Sequence, residues 1–85
     1  MERTTPLIHT NGTSREALLD GYTTAAAKVR EALDALVATA PNGRDYYPRG
    51  VEALGRAIAE HDVRVQRLTA VLADLDALAL AVADQ

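Results

Sequence analysis

The sequence predicts an all-α fold, an antiparallel hairpin of two long helices that self-associates into a four-helix-bundle-type homo-oligomer. Three observations carry this. Two long stretches space their apolar residues by threes and fours. One short segment rich in Pro, Gly and Asn divides them. The apolar residues of the last third cover more than one helix face, more than a single hairpin can bury. With 85 residues, none of them Cys, Phe or Trp, the chain is one small domain whose core must come from Leu, Val, Ile and Ala. Such a core is thin, and small domains of this kind gain from association.

Residues 1–12 read as an extended arm, and residues 13–85 as the hairpin domain. Asn11-Gly12 breaks any helix coming from the N-terminal side. The string TSRE then reads as a capping box, in which Thr13 accepts from the amide of Glu16 and Glu16 reaches back to the amide of Thr13. From there Leu18, Tyr22, Ala25, Val29, Leu33 and Leu36 repeat at helical spacing. The first helix spans about 14–40 and is stopped by Pro41 and Gly43.

The second helix spans about 50–84, with Pro48 suited to its first turn. Val51, Leu54, Ile58, His61, Val65, Leu68, Leu72, Leu75, Ala79 and Val82 alternate steps of three and four, the signature of a coiled-coil seam. The expected oligomer seam is His61, Val65, Leu68, Leu72, Leu75, Leu78 and Val82. His61, a lone polar residue there, reads as a register or partner determinant. The turn, 41–49, makes the two helices antiparallel neighbours. The tail of the longer second helix then overhangs or meets Leu7 and Ile8, and Val71, Leu72, Leu75, Leu78, Leu80 and Val82 form an apolar patch that marks an interface.

The turn PNGRDYYPRG carries more chemistry than a turn needs. Its residues suit a tight connection, and the tyrosines can simply lid the bundle end. They also suit a binding site. Arg44 and Arg49 can hold phosphate or carboxylate. Tyr46 or Tyr47 can stack on a base, beside a helix start that favours anions. Asn42 belongs to the same turn. The opposite end offers Asn11, Thr13, Ser14 and Arg15, read either as an ordinary cap or as the second half of a composite pocket. Within one hairpin these ends lie ~40 Å apart. In an antiparallel dimer the turn of one chain comes beside the cap of the other, and both sets would face one anion.

Several classes are set aside. No Cys is present and His9 has no metal-ligand spacing to His61, so neither a metal nor a cofactor is expected. Asp74 and Asp76 point to different sides of a helix, which argues against acid/base work. For a Ser-His-Asp arrangement, Ser14 would have to sit near His61, midway along the other helix. The expectation is a protein that is not an enzyme. A net charge of −3 and the lack of a basic stripe argue against a nucleic-acid polymer as partner. No apolar run reaches membrane-spanning length and no signal peptide is seen, so a cytoplasmic location is expected, with no membrane partner.

The strings NGTSREALL and APNGRDYYP, with Tyr22 and the Glu60-His61 pair, resemble small uncharacterised helical proteins encoded by tailed phages and prophages. The resemblance covers Asn11 to Gln85. It brings no catalytic residues. It implies an accessory protein made in the bacterial host cytoplasm. Small oligomeric phage proteins of this size include anti-defence factors, some of them sponges that sequester nucleotide-derived immune signals between subunits. The expectation is therefore an anti-defence protein that binds such an anion at composite subunit-interface pockets. The alternative is a helical interaction module that inhibits a host protein or aids phage assembly.

Overall fold

The computed structural model describes residues 3–85. The expectation of an arm at residues 1 and 2 lies outside the described residues. The fold is all-helical. Helix α1 is Arg15–Val37, the one-turn helix α2 is Gly43–Tyr46, a 3-10 turn follows at Tyr47–Arg49, and helix α3 is Val51–Ala83. Among the described residues no helix is long and apolar enough to cross a membrane.

The start of α1 corrects the expected capping box. The cap is Ser14, whose hydroxyl accepts from the Ala17 amide at 3.1 Å. Glu16 then falls in the first turn, where its charge suits the helix dipole, and its spacing from Ser14 is one residue short of a capping box. At the other end α1 stops at Val37 rather than at 40. The Thr39 amide bonds the Leu36 carbonyl at 2.9 Å and the Ala40 amide bonds that of Val37 at 3.2 Å. These tighter contacts satisfy the last carbonyls, and Pro41 keeps Ala40 from continuing the helix.

The connection is itself folded. The Asn42 side chain accepts from the Asp45 amide at 3.3 Å and donates to the Asp45 carboxylate at 3.0 Å, which nucleates α2. Pro48 opens the 3-10 turn rather than α3, a second correction. Gly50 carries φ +100° at the entry to α3, a conformation that costs any residue with a Cβ.

Helix α3 has 33 residues against 23 for α1, about 50 Å against about 35 Å. The ends are matched at one side only. Arg15 donates to the backbone carbonyl of Gln85, and Arg30 pairs with Asp76 at 2.9 Å. About three turns at the start of α3 therefore project past α1. There the connection, not α1, packs on α3: a Cβ on Gly43 would lie 3.9 Å from Leu54 Cδ2. At the matched end the arm runs along α3. Arg3 pairs with Asp74 at 2.8 Å, and the Ile8 amide donates to Gln85 Oε1 at 2.9 Å. The Gln85 side-chain amide donates to the Pro6 carbonyl at 2.5 Å.

This geometry explains where the expected seam departs. Val65, Leu68, Leu72, Leu75, Leu78 and Ala79 are half-buried, and Val82 is fully buried. Val51, however, is 96% exposed, and Ile58 is exposed as well. The buried residues of this stretch are Ala53, Ala57 and His61, at steps of four. A 3.5 period needs a continuous partner helix, and α1 ends before these turns. The expected wet patch at the C-terminal third is likewise smaller: Val71 and Leu80 stay exposed, while Val82 is covered. Among the described residues the buried apolar ones are Ala26, Ala53, Ala57 and Val82, three of them alanines. The molecule measures 61 × 22 × 17 Å with a radius of gyration of 18.3 Å, against ~12 Å for a compact chain of this length.

Candidate functional site at the hairpin tip

The tip is built by three local devices: the Asn42 side-chain bonds, the 3-10 turn with Pro48 in its first positions, and the positive φ of Gly50. Together they fold residues 42–50 against the first turns of α3. Tyr46 is half-buried and so forms the packed side of the tip. Tyr47 is 78% exposed, so its ring is a free flat surface. Arg44 and Arg49 are exposed on either side of the tyrosines. Among the described residues neither arginine takes part in an ion pair. Asp45, the nearest acid in sequence, is engaged with Asn42. Exposed arginines and an exposed tyrosine on one short segment are residue types that can serve an anion carrying a planar group.

The cap end is a different place. Ser14 is occupied in capping α1, and Arg15 is bonded to Gln85. Asn11 and Thr13 are exposed. The length of α1 separates them from the tip by about 35 Å, so one chain does not bring the two candidate halves together. His61 lies 24 residues before Gln85, about 36 Å along α3, and Ser14 stands at the Gln85 end. The two do not form a nucleophile–base pair. Asp74 and Asp76 are engaged separately, by Arg3 and Arg30. Among the described residues no three His, Cys, Asp or Glu gather as a metal site.

Of the two expected outcomes for the tail of the second helix, overhanging or meeting Leu7 and Ile8, the structure shows a meeting, through Ile8 and Gln85, beside a hollow that sequence reasoning missed. An open hollow of about 440 Å³ lies where the arm meets α3, lined by Arg3, Arg67, Ala70, Val71, Ala73 and Asp74. Its α3 residues, Arg67 to Asp74, stand about 30 Å from the start of α3, away from the tip. The hollow depends on the Arg3–Asp74 contact across 71 positions, which no local pattern announces. Comparison of the chain with protein-family models, with curated proteins and with solved structures finds no match.

Proposed function

We propose that this chain is a non-enzymatic, homo-oligomeric binder that sequesters a small nucleotide-derived anion at pockets between subunits. The observation that carries this reading is the tip, where exposed Tyr47 lies in sequence between the exposed Arg44 and Arg49, neither of them in an ion pair among the described residues. In this reading Tyr47 or Tyr46 stacks on the base and the arginines hold phosphate. The Asn11–Arg15 end of another chain completes the pocket, with Thr13 and Asn11 free to contribute and Ser14 and Arg15 shaping the helix start. The mostly alanine core supports assembly, because a hairpin with so little buried side chain gains much from a partner. The resemblance to phage and prophage proteins supports an anti-defence role, in which removal of the anion silences a host immune signal.

A second reading is a helical interaction module without a small ligand, one that inhibits a host protein or aids phage assembly. Leu80, 65% exposed near the end of α3, and exposed Val71 favour it.

Calorimetry with linear and cyclic nucleotides, paired with native mass spectrometry, tests both. Losing a base stack costs ~1–3 kcal/mol and losing a charge-assisted contact ~1.5–3 kcal/mol. Tyr47→Ala and Arg44→Ala are therefore expected to weaken binding ten-fold or more each while leaving the assembly intact. Mixed oligomers of a tip variant and Thr13→Ala are expected to recover part of the binding. No heat from any nucleotide on a ligand-free oligomer would transfer the assignment to the interaction module.

A further inference from the structure

The projecting turns of α3 carry a face that nothing among the described residues covers. Val51, Gly55 and Ile58 follow one another at i, i+4 and i+7, so they share one side of the helix. All three are exposed, Val51 almost completely, and Asp62 at i+11 closes the stripe with a charge. Gly55 is the unexpected member. It sits in a helix interior, where glycine weakens the helix relative to alanine. A Cβ there would meet nothing within 4 Å, so no contact inside the chain requires it.

From this face we infer that a second copy of the chain docks here, tip to tip, as an antiparallel α3–α3 contact about a two-fold axis near Leu54 and Gly55. In that arrangement Val51 lies against Ile58 of the second copy, and the two Gly55 positions meet at the axis. The missing side chains let the helices approach at the short end of the usual 8–10 Å range. The flank of the same face supplies the matching charges. Glu52 and Arg56 are both well exposed and sit 3.7 Å apart within the chain. An acid four positions before a base is self-complementary about this axis. Each Glu52 comes level with Arg56 of the second copy, and each Arg56 with the other Glu52, so two intrachain pairs close into a ring of four alternating charges. The surface to be covered is available. The chain exposes 6267 Å², whereas a compact protein of 9.1 kDa exposes about 4,900 Å². The excess is larger than the ~800 Å² that each partner of a standard interface buries.

The inference rests on the homo-oligomer reading and gives it a surface. It is a separate contact from the tip-to-cap contact that would complete the ligand pocket.

Sedimentation of wild type and variants tests it, with circular dichroism to show that each remains helical. Gly55→Leu places a side chain at the axis without touching the monomer and is expected to weaken association roughly ten-fold or more. Glu52→Arg alone and Arg56→Glu alone set like charges across the axis and are expected to do the same. An equimolar mixture of the two charge variants is expected to associate again, because only a mixed pair restores opposite charges between chains. Within each of those chains the two charges still repel, so recovery reports the contact between copies. An oligomer unaffected by Gly55→Leu and by both reversals would overturn the tip-to-tip contact and leave the homo-oligomer reading standing. A wild type that stays monomeric at high concentration would overturn both. The nucleotide titrations above read out independently of either.

Discussion

Arg30 ties α1 to α3 through Asp76, with one guanidinium nitrogen reaching both carboxylate oxygens at 3.1 and 2.9 Å. The pair fixes the register of the two helices, yet both side chains are about half exposed, 55% and 50%. Solvent therefore screens most of the attraction. Arg30→Ala is expected to destabilise the fold by no more than ~1 kcal/mol. Urea unfolding should show it, and a double-mutant cycle with Asp76→Asn should return a coupling of ~0.2–1 kcal/mol. A loss several times larger would mean that the pair is buried in the assembled protein.

The cap of α1 can be located by substitution. Ser14→Ala removes the acceptor of the Ala17 amide and should cost ~0.5–2 kcal/mol. Thr13→Ala removes no acceptor used in the structure and should stay within about 0.5 kcal/mol. Thermal unfolding of the two variants side by side decides the matter, and equal losses would restore Thr13 as the cap.

Gln85 clasps the arm by its side chain, accepting from Ile8 and donating to Pro6. Gln85→Ala should release this contact. Amide exchange at Ile8 is expected to speed up while α1 and the centre of α3 remain protected. Unchanged protection at Ile8 would show that another group holds the arm.

His61 is 7% exposed and lies in line with Ala53 and Ala57. His61→Leu should be neutral or stabilising in denaturant unfolding, since an apolar group of similar length avoids the desolvation of the imidazole. It is also expected to alter oligomer size if His61 sets register. A clear loss of stability with unchanged assembly would reverse this expectation.

The two long helices were legible because their apolar spacing persists over many turns, and such a signal survives errors at single positions. The boundaries shifted for local reasons. Thr13 and Ser14 are both good caps, and the three-residue spacing from Thr13 to Glu16 favours the wrong one. Thr39 and Ala40 have helical composition but close into tighter turns before Pro41. Val51 and Ile58 of the expected seam stay exposed in the single chain, because steps of three and four describe a helix with a partner along its whole length. Here α1 stops short. The tip was legible as a cluster of Arg and Tyr, and its distance from the cap end followed from helix length alone. What no periodicity could reveal is that Arg15 is engaged by Gln85, and that Arg3 reaches Asp74. Those contacts join residues 70 and 71 positions apart.

The same separation in sequence orders the making of the fold. The tip joins neighbours: Asn42 finds Asp45 three positions away, and Gly43 meets Leu54 in the adjoining turns. The clasp joins Ile8 to Gln85 across 77 positions. Closing a longer loop costs more chain entropy, and distant contacts are slow to form. The chain is therefore expected to zip from the tip, with α1 and α3 meeting progressively toward the far end and the arm settling last. Run backwards, opening begins at the clasp. By the same argument the tip is expected to form first and to stay organised longest.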